Sequence, residues 1–381
     1  MVTTCVGALA ACGSTEKPSA ASPSSCEGVE VLVAASDYSS SLVCGAPKCE
    51  AGPGTTAPDL GKDPSLSLSN GRAFFVARSE DLVFEMDPTC GTPLARYSIH
   101  EEGSLKGAAN PHDVAAAADE SLFVVLYNQP RIVILDKKGL PSGAIDLSRF
   151  DDDHNPQAEA IRIVSVAGQQ KAFVTLQRLD DNSTPRPFVS RLPSFMLRID
   201  VATRTVEQVI ELAGRNPFNV MAEQDGALFL AEPGNFDSDD EAQAGIERFD
   251  TATSTTRLLV TEAALGGSVS EIAITKGCGA AIVAGPQRDV NPTSLVTFDP
   301  TSGQVLTRAT SAVLGPTPGY DLQALTWRGD TLYVGDRRAG SSGYRVHAFA
   351  RDPGTCTLHE DSARGIDLPL APVALRPAAA R

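Results

Sequence analysis

The sequence predicts an all-β fold: a seven-bladed β-propeller of four-stranded antiparallel blades, with one blade completed by both chain ends. Residues 107–149 hold four short apolar runs separated by turn residues, the pattern of one four-stranded antiparallel unit. Runs that end in an aspartate recur at Asp87, Asp136, Asp200, Asp250 and Asp299, with gaps of 49, 64, 50 and 49 residues. A period of roughly fifty with four strands per repeat is the signature of propeller blades. The length of 381 residues points the same way, because a single hydrophobic core rarely grows that large.

Taken in order, residues 29–35 and 41–44 read as a hairpin, and 50–64, rich in Gly, Pro and Thr, as a loop. The first full unit combines runs at 66–68, 73–76, 82–86 and 94–97, and the second is the 107–149 stretch. The third uses 158–161, 172–176, 195–199 and 206–210; an insertion at 179–187 accounts for its longer aspartate gap. The fourth uses 219–222, 227–231, 245–249 and 256–260, and the fifth 271–274, 280–283, 294–298 and 305–308. The sixth uses 323–327, 331–334, 344–349 and 355–358, which leaves only 368–375, a single strand. A propeller must hide its edge strands. The C-terminal strand is therefore expected innermost in a seventh blade whose outer strands come from residues 29–46.

Net charge is −15, which repels phosphate backbones and argues against a nucleic-acid partner. No run approaches the ~18 apolar residues needed to cross a bilayer. At the N-terminus, Leu9-Ala10-Ala11-Cys12 resembles a bacterial lipobox, in which small residues admit the peptidase and the cysteine takes a lipid. The expectation is a signal segment over 1–12, a flexible tether over 13–28 and the propeller over 29–381, held outside the cytoplasm on the cell envelope by lipid on Cys12. Apart from Cys5 and Cys12, six cysteines remain: Cys26, Cys44, Cys49, Cys90, Cys278 and Cys356. An even number in an exported chain suggests disulfides, with all fifteen pairings open.

The repeats resemble the bacterial propellers of the YVTN and surface-layer type, a group that includes exported lipoproteins. The residues that carry the resemblance are Asn110-Pro-His-Asp-Val, the run ending at Asp136, Phe298-Asp-Pro-Thr-Ser-Gly303, and Val174-Thr-Leu-Gln-Arg-Leu-Asp180 with Ile199-Asp-Val-Ala-Thr203. It implies the propeller fold and leaves the activity open.

Inner strands of a propeller begin at the mouth of the central channel. Counting back ten positions from the second strand of each unit reaches Ser65, Asp113, Asn219, Glu271 and Gln323, and Glu159 looks equivalent in the third unit. Three carboxylates and two amides converging there would suit Ca²⁺ or another hard cation. The acidic stretches 151–155, with His154, and 235–241 are expected on the same face, and His112 beside Asp113 is the candidate base. No nucleophile elbow, zinc helix or phosphate loop is present in the sequence. The leading expectation is a non-enzymatic binding or scaffold propeller for a protein, glycan or cation. Its rival resembles the lactonase-type propellers, in which a divalent ion held by such a cluster polarises an ester carbonyl.

Overall fold

The computed structural model describes residues 26–47, 49, 56–57, 60–105, 107–236, 242–285 and 291–380. Cys12, the tether as far as residue 25, and the acidic stretch 237–241 lie outside the described residues. The chain forms a seven-bladed propeller of antiparallel sheets. The inner strands of blades 1 to 7 are Pro64–Ser69, Pro111–Ala116, Ala158–Val166, Phe218–Gln224, Ser268–Thr275, Leu322–Arg328 and Pro372–Pro377. Each lies beside the next around one central axis, the seventh returning to the first.

The core sits between blades. Among the described residues it falls into seven buried clusters, one for each pair of neighbouring blades. In blade 2, Phe123 and Val125 pack toward blade 3, while Leu122, Val124 and Leu126 pack toward blade 1. Alternate side chains of a strand point to opposite faces, and here both faces are covered. That is why Leu122–Leu126 is apolar at every position and not at every second one. Trp327 fills the interface of blades 5 and 6, where its indole N–H donates to the Ala273 carbonyl at 3.2 Å.

The recurring aspartates share one physical task, closing the turn after the third strand of their blade. Asp87 accepts from the Thr89 N–H, Asp136 from Lys138 and Leu140, Asp200 from Thr203, Asp250 from Ala252 and Thr253, and Asp299 from Thr301 and Ser302. A short carboxylate bonding to backbone two or three residues onward is what makes Asp a turn residue.

Blade 7 is composite as expected. Pro372–Pro377 pairs antiparallel with Val31–Ser36, which pairs in turn with Ser41–Ala46. A short fourth strand, Thr56–Ala57, lies in the stretch read from sequence as a loop. In blade 5 the expected strand at 305–308 is reduced to single bridges, Phe298 to Val305 and Leu295 to Leu314. The outer strand of blade 6 is split into Leu358–Glu360 and Ile366–Leu368. The six cysteines form the disulfides Cys26–Cys90, Cys44–Cys49 and Cys278–Cys356. The first ties the segment leading into blade 7 to blade 1, and the third ties blade 5 to blade 6.

Truncation after Leu370 removes the inner strand of blade 7 and exposes the apolar faces of blades 6 and 1. We expect it to abolish the cooperative thermal transition followed by circular dichroism. Leu306→Ala, at a position 45% exposed, should change stability by less than about 0.5 kcal/mol. A truncated chain that melts cooperatively at the wild-type temperature would contradict the role given to the C-terminal strand.

Candidate functional site

Inner strands of blades 2 to 6 carry a register irregularity at the mouth of the channel, and that of blade 7 carries another between Pro372 and Ala374. The breaks fall between Pro111 and Asp113, Ala158 and Ile161, Phe218 and Ala222, Val269 and Glu271, and Gln323 and Leu325. A bulge re-aims the side chains beside it. The backbone there is correspondingly unusual, with φ of 60° at Asn219 and 70° at Ala324.

These irregularities turn His112, Glu159, Asn219, Glu271 and Gln323 into one cavity of about 60 Å³, closed on its other sides by Arg78 and Arg376. Arg376 and Val220 also border a second cavity further along the channel. Four of the five candidate ligands found by counting therefore meet there. Asp113 does not. The extra residue of the bulge shifts the count by one, so that His112 faces the cavity in its place. Asp113 is 1% exposed and bonds to the Ser67 hydroxyl, the Ile161 N–H at 3.0 Å and an Arg162 Nη at 2.9 Å. The stretch 151–155 does not line the cavity, although Asn155 Nδ2 donates to the carbonyl of Tyr127, on whose ring His112 stacks. Asp151 faces Arg178 at 3.5 Å, and His154 lies exposed with its Nδ1 3.4 Å from the Ser148 carbonyl.

A chain of hydrogen bonds links the mouth residues from blade to blade. Ser65 Oγ donates to the His112 carbonyl at 2.8 Å, and His112 Nδ1 lies 2.6 Å from Glu159 Oε2. Glu159 Oε1 accepts the Asn219 N–H at 2.9 Å, and Asn219 Nδ2 donates to Glu271 Oε1 at 3.0 Å. The His112 ring stacks on Tyr127 with centroids 4.2 Å apart, and Tyr127 is anchored to Gln177 at 2.9 Å.

The protonation states follow from burial and neighbours. Burial and the nearby Arg78 push the His112 imidazolium pKa down, overriding Glu159, so the ring is neutral at pH 7. Burial works against the Glu159 carboxylate, but the hydrogen bond from His112, the charge of Arg78 and the Asn219 N–H hold its pKa below the usual value. An ionised Glu159 requires the imidazole proton on Nδ1, which leaves the Nε2 lone pair toward the cavity. Glu271 is pushed up to about 7 by burial, opposed by Arg376, the Ala324 N–H and Arg78. Burial and Arg162 lower Arg376 to about 10, so it remains a cation.

This donor set suits Ca²⁺ poorly. Both oxygens of Glu159 and of Asp113 are already taken by N–H and O–H donors, and Gln323 Oε1 accepts from Arg337 at 2.9 Å. Two guanidinium groups share the cavity. A hard cation gathers six to eight oxygens, and like charges repel it.

The counting argument missed Arg78 and Arg376. Arg376 lies one residue beyond the run read as the last strand, and nothing in the sequence around Arg78 distinguishes it. Tyr38 was missed as well; it stands at the rim, 52% exposed, with Arg337 over its ring at 4.9 Å.

No protein-family model matches the sequence, and no curated protein is similar to it in sequence. Solved structures of similar fold include virginiamycin B lyase from Staphylococcus aureus, with 13% identity and a TM-score of 0.52 over 80% of this chain and 84% of that one. A streptogramin B lyase has 13% identity and a TM-score of 0.51 over 78% and 80% of the two chains. The dihydro-heme d1 dehydrogenase NirN, also 13% identical, has a TM-score of 0.51 over 91% and 74%. Likeness at this level establishes the propeller fold.

Glu271 yields a pH-dependent expectation. An unfolded glutamate releases its proton near 4.5 and the folded one near 7, so stability falls as pH rises through that window. Glu271→Gln keeps an oxygen for Asn219 and removes the buried charge. It should match wild type below pH 4 and exceed it at pH 8 by up to about 3 kcal/mol, measured by denaturant unfolding. A variant less stable than wild type at pH 8 would mean that the carboxylate is held ionised.

Proposed function

We propose that this chain is an exported propeller that binds a small polar molecule at the mouth of its channel, anchored to the cell envelope by lipid on Cys12. The observation that carries the binding reading is the cavity itself. Five blades send committed polar side chains to one point, where two guanidinium groups meet the carboxylates of Asp63 and Glu159 and the carboxyl of Glu271. Burying charge costs several kcal/mol per group, and fold stability alone gives no return on it. Such an arrangement is the usual mark of a site that meets a ligand.

The three disulfides support export, since such bonds persist in oxidising compartments. Among the described residues no helix is long and apolar enough to cross a membrane, and the lipobox supplies the attachment in this reading. The likeness to the YVTN and surface-layer propellers is compatible with such a role. A protein or glycan partner on the outer faces is a separate reading that no feature of the cavity favours. The calcium-dependent, lactonase-like reading has the propeller in common with ours, but it requires carboxylate oxygens that here are bonded elsewhere.

Two measurements test the proposal. Mass spectrometry of the mature protein from cells should show an N-terminal lipidated Cys12, lost in Cys12→Ala; an unmodified or differently cleaved terminus removes the anchor. Thermal melting of the propeller should rise with members of a panel of small polar and anionic metabolites and stay unchanged with chelator. A melting temperature lowered by chelator and restored by Ca²⁺ would reinstate the metal reading. A panel without any effect would remove the small-ligand reading.

A further inference from the structure

Arg78 and Arg376 are under-partnered cations. Arg376 donates from Nη1 to the Leu375 carbonyl at 2.6 Å, and among the described residues it has no carboxylate within ion-pair distance. Among the described residues Arg78 reaches only Asp63, at 3.5 Å, and its Nε is buried without a partner there. Asp63 answers Arg78, and Arg376 is left as a cation facing the cavity that calls for an anion; a carboxylate matches its planar donor geometry. Beside them stand a lone pair, on His112 Nε2, and a carboxyl O–H, on Glu271. His112 is 10% exposed and oriented by Glu159, itself 3% exposed, in the manner of a general base with its orienting carboxylate.

Each of these groups restricts the chemistry of the molecule that completes the site. The Arg376 guanidinium takes a carboxylate. The Glu271 O–H needs an acceptor such as a carbonyl oxygen. The His112 lone pair needs an acidic hydrogen. A volume of about 60 Å³ admits only a few non-hydrogen atoms. Resting on the small-ligand reading above, we propose that the cavity binds short 2-oxo acids and catalyses their enolisation, with His112 as base and Glu271 as acid.

The step balances without a co-reactant. His112 Nε2 takes a proton from the carbon next to the ketone, and the C–H electron pair forms the C=C bond. The carbonyl π pair moves to oxygen, which receives the Glu271 proton. Reversal of the same transfers restores the oxo acid with a hydrogen drawn from solvent. His112 and Glu271 act on the substrate directly, and Glu159 is a positioning residue that fixes the imidazole tautomer.

The test is deuterium wash-in at carbon 3 of pyruvate and of 2-oxobutanoate in D₂O, followed by proton NMR, with binding measured in parallel by calorimetry. Wild type should exchange at least tenfold faster than the protein-free reaction. His112→Gln should still bind but fall to the protein-free rate. Arg376→Met should lose binding, and Arg78→Met serves as the second variant if that protein does not fold. Glu159→Gln should move the ascending limb of the pH–rate profile to lower pH, because its charge supports the imidazole; a merely structural role would change the melting temperature alone. Binding without exchange above background overturns the enolisation and leaves the small-ligand reading standing. Exchange that survives intact in His112→Gln also overturns it. Failure of both oxo acids to bind overturns the proposal, and if acetate and the wider metabolite panel fail as well, the small-ligand reading goes with it.

Discussion

Closure of the ring is the constraint on which the rest of this structure depends. Seven twisted sheets arranged about an axis leave no free inner edge only if the last strand returns to the first sheet. Here that contact is the antiparallel pairing of Val31–Ser36 with Pro372–Pro377. The same strand carries Arg376 into the channel, so the pairing that completes the fold also completes the charged cavity. A site built this way forms when the propeller closes and not before.

The cavity is organised by bonds that run around the axis from blade to blade. His112, Glu159, Asn219 and Glu271 belong to four different blades, yet each is oriented by the next. Low local dielectric strengthens such a chain and makes any unpaired member costly. The consequence is rigid placement with opposed proton affinities, a neutral imidazole against an ionised carboxylate and a second carboxyl near pH 7. Small-ligand chemistry profits from that placement because the groups need not reorganise when a molecule arrives.

Much of the fold was legible because its causes are local. Asp87, Asp136, Asp200, Asp250 and Asp299 each close a turn with neighbouring backbone, and so recur once per blade. Continuous apolar runs such as Leu122–Leu126 report burial on both faces. Fourth strands were less legible. They lie at the rim, where Pro141–Asp146 shows a mostly exposed pattern, and weak packing lets the strand expected at 305–308 dwindle to isolated bridges.

The sequence by itself determined the propeller, its blade count, the composite seventh blade and the set of mouth residues Glu159, Asn219, Glu271 and Gln323, because strand periodicity and turn chemistry act over a few residues. Only the tertiary structure decided which side chain of the pair His112 and Asp113 enters the cavity, since a bulge of one residue reverses the facing of its neighbours. Only it brought Arg78 and Arg376 to the same point, from positions nearly three hundred residues apart. That convergence set two guanidinium groups beside the acidic side chains that strand counting had offered as cation ligands, because what a channel holds is contributed by all seven blades.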